Sequence, residues 1–511
     1  MDQMTHNKAL RFDRFVLDLT RGCLRAGERE VHLRPKAFRL LTYFALNAGR
    51  LVPKQELLDA VWPNVVVSDE SLAQSVWQLR QKLGDNNQRI IKTVPRRGYM
   101  MDVGIHAADT SVAEPLPLPD RPSIAVLPLA NLSRDPEQQY FSDGITEDII
   151  AELSLFSELF VIARNSSFQC RGVDARQVGR ELGVRYLLDG SVRRSGARLR
   201  ISMQLIECST GHHLWVKRFD RELINVFEVQ DEVARDVAST LAVKLRAGER
   251  RRGKYDGTSG LECYDTFLRA REVYWQLTKQ SQDEAERLLK RAIEFDPKFA
   301  PAYALLAGVY LLRFINRWHE KPDQYLEEAY DVATMGVSLN PTHPRSLNSL
   351  ASVALWKRHH DQALAVYQKS VDIDPNFSRG YIGIGWVLHY AGRSEEAIDP
   401  MNWGFRLDPF HPPAYLHWLA QAYFQLSRYE EAIEILRRRL MKAPNTDMSR
   451  VLLASAYGHL GRTSEARDEW REALRFNPVY SLEHRRRVLP YKNPADFELM
   501  VEGLRKAGLA G

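Results

Sequence analysis

Ser71, Gln74, Ser75, Gln78 and Lys82 fall on one side of the stretch SDESLAQSVWQLRQKL, residues 68–83. Leu72, Val76, Leu79 and Leu83 fall on the other, at the spacing of an amphipathic helix. The polar side carries amides, hydroxyls and an ammonium, and no carboxylate. A helix that presents donors and acceptors without negative charge suits the base edges of a major groove. A helix facing only water more often mixes Glu with Lys. Ser68 is a good N-cap, because its hydroxyl can take an orphan backbone N–H. Asp69 and Glu70 then sit in the first turn, where the helix dipole favours negative charge. An ordinary surface helix is the competing reading, and the surrounding residues decide between the two.

Other candidate chemistry is thin. Asp143, Glu147 and Asp148 cluster, but they read as cap and first-turn acids of a helix opened by Ser142 or Asp143. His212 and His213 are adjacent on an expected strand, where successive side chains point to opposite faces, a poor metal pair. The four cysteines, Cys23, Cys170, Cys208 and Cys263, form no C-x-x-C pair. Such sparse use suits a reducing cytosol. No nucleophile elbow, phosphate loop or H-E-x-x-H spacing occurs. The expectation is a chain without catalysis, cofactor or metal.

The elements that must hold the polar helix come next. At 511 residues the chain needs several domains. Its net charge is +6, and the first 105 residues, with 17 Lys and Arg against 11 Asp and Glu, hold the whole excess. That places a nucleic-acid face on the first domain. No apolar run reaches the length of a membrane span, and the N-terminus lacks a signal-peptide core, so a cytoplasmic protein away from the membrane is expected. Residues before 9 leave no room for a receiver domain, so control by aspartyl phosphorylation in cis is not expected.

FDRFVLDLTRGCLRAGEREVHL alternates like short strands, and RPKAFRLLTYFALNAGRLV reads as a helix opened by Pro35 and closed near Gly49. PKQELLDAVW follows, with Pro53 at a helix start. RIIKTVPRRGYMMDV reads as a hairpin turning at Pro95–Gly98. The motifs LRPKAFRLL, GRLVPKQELLDAVW, VSDESLAQSVWQLRQKLGD and IIKTVPRRGY resemble the OmpR/PhoB-type winged helix-turn-helix along its whole length. The resemblance implies that the third helix enters the major groove and the hairpin wing touches the adjacent minor groove. It assigns DNA contacts to Ser71, Gln74, Ser75, Gln78, Arg80, Lys82, Arg96 and Arg97. Gln74, Trp77 and Gln78 stand where relatives often carry basic or β-branched residues, so the operator sequence does not carry over.

Residues 106–122, with alternating prolines, read as a semi-stiff linker. Residues 123–247 read as an α/β domain: SIAVLPLANL and LFVIAR as strands, SDGITEDIIAELSLF and VGRELGV as helices, then strands from RYLLDG to VKRFD and a helix from Val226 to Leu245. IAVLPLANLSRDPEQQYFSDGITEDI, ELGVRYLLDGSVRRSG and TGHHLWVKRFDREL are similar to the TolB-like domain. From about 262, prolines recur at 297, 341, 375, 409, 444 and 478, and the period of 34 is that of tetratricopeptide (TPR) repeats. An alanine precedes each proline by twelve residues: Ala285, Ala329, Ala363, Ala397, Ala432 and Ala466. One interval is 44, and its ten extra residues are placed between helices near Arg313–Pro322. In TPR arrays the first helix of each pair lines a groove, which by this register carries Arg345, Asn348, Arg379, Trp386, His389, His417, Gln421 and Phe424.

The whole reading is a winged helix over residues 1–105, a linker over 106–122, a TolB-like α/β domain over 123–247, an all-α TPR solenoid over 262–478 and capping helices over 479–511. This resembles the HilA/CadC-like arrangement of bacterial regulators, without a membrane span. The implied partner is double-stranded promoter DNA, with RNA polymerase, a peptide or small ligand in the repeat groove, and a dimer on DNA as further expectations. A repeat scaffold in signalling that does not bind DNA is the alternative. Arg80, Lys82, Arg96 and Arg97 around an acid-free face argue against it.

Overall fold

The computed structural model describes residues 9–509, apart from 19–22, 27–28, 32, 34, 63–68, 86, 96, 105, 108–115, 134, 197, 223–225, 242–259 and 319–320. Ser68 and Arg96 therefore lie outside the described residues.

The chain opens with four antiparallel strands, β1 (Ala9–Phe12), β2 (Phe15–Asp18), β3 (Cys23–Ala26) and β4 (Arg29–Val31). Three helices follow: α1 (Pro35–Leu46), then, after the short strand β5 (Leu51–Val52), α2 (Lys54–Val61) and α3 (Asp69–Leu83). β6 (Ile91–Val94) and β7 (Gly98–Met101) form the wing, and β7 also pairs with β5. Gly98 is required there, because a Cβ would lie 2.1 Å from the Val52 carbonyl oxygen. One apolar core joins strands and helices through Leu10, Leu17, Phe44, Leu57, Leu72, Val76, Leu79, Leu83 and Ile91. β8 (His106–Ala107) pairs with β1, so the expected linker begins two residues late: its first residues complete the first sheet.

The middle segment is a mixed sheet of β9 (Ser123–Val126), β10 (Ala130–Asn131), β11 (Phe160–Val161), β12 (Tyr186–Ser195), β13 (Arg198–Glu207) and β14 (His213–Glu222). β11, β9 and β12 run parallel, and β12, β13 and β14 antiparallel. Its helices are α4 (Gln139–Ser154), α5 (Arg164–Gln169), α6 (Ala175–Leu182) and α7 (Val226–Thr240). A 3-10 turn at Pro136–Gln138 starts α4 three residues before Ser142, so neither Ser142 nor Asp143 caps it, and Ser142 is buried inside the helix. Residues 242–245, expected in the last helix, lie outside the described residues.

Six helix pairs follow: α8 (Leu261–Tyr274) with α9 (Lys279–Phe295), α10 (Ala300–Asn316) with α11 (Pro322–Leu339), and α12 (Pro344–Trp356) with α13 (His360–Ile373). Then come α14 (Ser378–Tyr390) with α15 (Ser394–Leu407), α16 (Ala414–Gln425) with α17 (Tyr429–Lys442), and α18 (Asp447–His459) with α19 (Thr463–Phe476). The six alanines found by period are fully buried where the paired helices cross. The ten extra residues do not make a long loop. They lengthen α10 and α11 to 17 and 18 residues, because ALLAGVYLLRFIN continues an apolar helical stripe. Among the described residues, the turn between the helices of each of the six pairs holds one left-handed residue: Leu277, Arg317, Arg358, Gly392, Ser427 and Gly461, with φ between 51° and 82°. α20 (Leu482–Val488) and α21 (Pro494–Lys506) end the described chain.

Two compact units share the chain. One holds Met1–Glu114, Pro413–Leu482 and Glu498–Gly511, and the other Pro115–Pro412 and Glu483–Phe497. The expected boundary between 247 and 262 does not separate two bodies. Within the second unit, α4 of the middle segment is tied to the first helix pair: Arg271 donates to Asp148 at 3.1 Å and to the Gly144 carbonyl, and the Tyr264 hydroxyl donates to Asp148. The Asp-Pro turns of the repeats serve the same seam. Asp408 accepts from the Ser166 N–H at 3.1 Å, the Ser166 hydroxyl and Asn165, and Asp374 accepts from Ser154 at 2.8 Å. In the first unit α1 packs against α17, and Lys36 Nζ lies 3.6 Å from Glu472.

Candidate nucleic-acid interface

α3 is seated by its apolar stripe, since Leu72, Val76, Leu79 and Leu83 are at most 1 % exposed. That burial turns Ser71, Gln74 and Lys82 fully outward and leaves Ser75 and Gln78 half-exposed. Ser75 spends its hydroxyl on the Ser71 carbonyl at 2.8 Å. Gln81 and Trp77 share the outward side, and Trp77 is 59 % exposed. The helical spacing of Gln74, Trp77, Gln78 and Gln81 is the signal that places Trp77 and Gln81 beside the expected readers. Lys54 pairs with Asp69 at 2.5 Å across the start of α3.

Arg80 sits elsewhere. Its Nε and Nη2 donate to the Ile91 carbonyl at 3.1 and 2.7 Å, and Nη2 donates to Thr93 Oγ1 at 2.8 Å. The guanidinium ties α3 to the first strand of the wing. Asp85 makes a second tie that sequence reasoning did not single out. Its buried carboxylate accepts from the backbone N–H groups of Arg89, Ile90 and Ile91 at 2.6, 3.0 and 2.9 Å. Its signal was the Gly-Asp step after the helix, with Gly84 left-handed at φ 66°. At the wing tip the Arg97 N–H closes the turn on the Val94 carbonyl at 3.0 Å, and Arg97 is exposed. Arg96 lies outside the described residues.

The expected repeat groove is not open along its named residues. Asn348, Trp386, His389, His417, Gln421 and Phe424 are all buried. Trp386 packs on Trp356 and Tyr390. His389 hydrogen-bonds Ser394, and burial pushes its imidazole down to about 3. His417 bonds Ser449 of α18 at 2.9 Å, and Phe424 meets His459 edge-on. Arg345 pairs with Glu147 at 2.6 Å, and the exposed Arg379 lies over the Trp275 ring. The register could not show that neighbouring repeats and the middle segment pack against these residues.

The acids of α4 are likewise bound into packing. Burial would raise Glu147, but Arg271, Arg345 and Arg164 around it hold it down at about 2. Burial, with Asp231, Asp148 and Asp374 nearby, pushes Glu152 up to about 8. Among the described residues no group of three or more His, Cys, Asp or Glu side chains is arranged to hold a metal ion. Among them, too, no helix is long and apolar enough to cross a membrane.

Residues 28–101 match the family described as transcriptional regulatory protein, C terminal. The chain is also 45% identical over 401 residues to the putative adenylate cyclase 3 of Rhizobium meliloti, covering 78% of this chain and 68% of that one. The chain belongs to this family, with an OmpR/PhoB-type DNA-binding domain at its N-terminus. It is 25% identical over 424 residues to the transcriptional regulator HilA of Salmonella typhi, covering 82% of this chain and 74% of HilA. The transcriptional activator CadC of Escherichia coli is 22% identical over 489 residues, covering 78% of this chain and 92% of CadC. Residues 407–473 match the family described as anaphase-promoting complex, cyclosome, subunit 3. This regulator thus joins a DNA-binding domain to tetratricopeptide helix pairs, and it is a DNA-binding transcriptional regulator.

Proposed function

We propose that α3 reads the operator in the major groove through Ser71, Gln74, Ser75, Gln78 and Lys82, with the wing arginines Arg96 and Arg97 on phosphates or a narrow minor groove. The outward, acid-free face of α3 carries this reading: the apolar stripe fixes its orientation, and amides are the side chains that pair with adenine edges. Arg80, bonded to Ile91 and Thr93, acts in this reading as a brace between helix and wing rather than as a base reader.

The middle segment, which resembles the TolB-like domain, and the helix pairs form the part that receives a signal or partner and changes promoter occupancy or polymerase contact. The regulator acts in the cytoplasm, as a dimer on its operator, and without catalysis of its own. The name of the Rhizobium meliloti relative raises nucleotide cyclisation as the competing reading. Against it, Glu147 and Asp148, the acids a catalytic reading would use, are consumed by Arg164, Arg271, Arg345 and Tyr264.

Two measurements on the purified chain test the proposal. Footprinting on genomic fragments should give short protected sites that Gln74→Ala with Gln78→Ala erases. Incubation with ATP and Mg²⁺ should give no cyclic nucleotide. Unchanged footprints in the double variant, or cyclic product formed in proportion to the protein, would overturn it.

A further inference from the structure

From the middle of α20 to the start of α21 the chain runs over the turns of the second, third and fourth helix pairs, and residues 489–493, between the two helices, form a non-helical strap. Arg317, at the second turn, lies 3.4 Å from His484. Arg358, at the third, collects three strap carbonyls: Arg487 at 2.9 Å and Leu489 at 3.1 Å through Nη2, and Tyr491 at 3.1 Å through Nη1. The Pro490 carbonyl takes a hydrogen bond from His360 Nε2 at 2.6 Å, and the Lys492 N–H donates to the Tyr390 carbonyl at 2.8 Å. Leu489 and Tyr491 are buried, at 5 % and 9 % exposure. The Tyr491 ring sits edge-on to Tyr390 at 4.8 Å and to His389 at 5.6 Å.

Four main-chain carbonyls captured by cationic or imidazole donors, with one aromatic side chain in an aromatic pocket, is a way of recognising a non-helical peptide. Two features separate it from ordinary packing. First, a single guanidinium, that of Arg358, gathers three of these carbonyls, at the point where the fourth and sixth pairs use glycine. Second, the strap does not fill its seat: an open cleft of about 490 Å³ remains between Arg358–Gln362 and Tyr491–Lys492.

We infer that the turns of the third and fourth helix pairs form a peptide-binding site for a non-helical segment of the type apolar–Pro–aromatic, and that residues 489–492, with the carbonyl of Arg487 before them, are its built-in occupant. A partner protein presenting such a segment competes with the strap. This rests on reading the helix pairs as an interaction module, but it names a site at their turns rather than on the expected groove.

The test uses the whole chain and a fluorescein-labelled peptide, RVLPYKNPA, which copies residues 487–495. In one variant, residues 487–491 are replaced by Gly-Ser-Gly-Ser-Gly, which frees the seat and keeps the connection. Anisotropy should show binding to this variant at least about tenfold tighter than to the unaltered chain, whose tethered strap competes at an effective concentration of order millimolar. Adding Arg358→Ala to the freed chain, or changing the tyrosine of the peptide to alanine, should each cost about tenfold or more. If the freed chain unfolds, Arg358→Gly in the otherwise unaltered chain serves, since glycine accepts the left-handed turn. There trypsin should cut after Lys492 several times faster. Equal peptide binding by freed and unaltered chains, or indifference to the tyrosine, or in the fallback an unchanged rate of cutting, overturns the site. None of these outcomes touches DNA binding or the wider role of the repeats, which loss of regulation without loss of the operator complex would test.

Discussion

Arg80 separates two ways of using an arginine beside DNA. In the structure its guanidinium makes three hydrogen bonds, two to the Ile91 carbonyl and one to Thr93, and it is half-buried. Arg80→Met keeps much of the stem and removes every donor. A hydrogen bond to a charged group contributes about 1.5–3 kcal/mol when buried. Two of these bonds share one acceptor and the site is partly wet, so the loss should be about 1–3 kcal/mol in total. Urea unfolding of the unaltered and variant chains should show that shift in the transition of the winged helix. Affinity for cognate and scrambled duplexes should then fall by one common factor, because the wing is less well held. The slope of log affinity against log salt should not change, since no phosphate contact is lost. An arginine that sat on a phosphate would behave otherwise: stability would hold and the slope would drop by about 0.9. That second pattern would refute the assignment of Arg80 as a brace.

Three further outcomes follow from the same geometry. Gln78→Ala should lower affinity for the cognate duplex by about 1–3 kcal/mol and relax preference at one base pair, whereas Arg97→Ala should weaken all sequences alike and reduce the salt slope by about one; titrations at several salt concentrations distinguish them. Asp408→Ala strips the buried Ser166 N–H of its acceptor, and denaturant unfolding should show a loss of about 2–4 kcal/mol. Glu152 is pushed up to about 8, so it stays neutral in the folded chain while its unfolded counterpart ionises above the usual value of 4.5. Stability should therefore fall as pH rises from about 4.5 to 8 and level off above. Glu152→Gln should raise the melting temperature at pH 8 and change it little at pH 5; an equal shift at both would sink the reasoning.

α3 was legible because one period placed its apolar residues inside and its amides outside. The helix pairs were legible for a related reason: each buries against its neighbours at a fixed interval, and the spacing repeats in the sequence. The strained turns were not, because Leu277, Arg317, Arg358 and Ser427 do not announce a left-handed backbone as glycine does. The groove failed because helical register states which way a side chain points and is silent on what lies against it. Trp386 and His389 are buried among neighbouring side chains. The start of α4 was misplaced because a preceding 3-10 turn relieved Ser142 of any capping role. The tie that Arg80 makes was not legible, because its partners, Ile91 and Thr93, come from a strand eleven and thirteen residues on.

The seating of α1 against α17 has a consequence in time. The winged helix has its own apolar core within the first hundred or so residues, so it can fold soon after they leave the ribosome. The helices that complete its unit, from residues 413–482 and 498–511, are made only after 115–412. At about 5–20 residues per second, the DNA-binding domain waits tens of seconds for its seat. During that interval it is a free DNA-binding domain tethered to a growing chain. Lys36 has no Glu472 to face until α19 is synthesised. Whatever restraint the later helices place on the DNA-binding domain is thus imposed last, so a chain cut short inside the repeats would keep that domain and lack the helices that complete its unit.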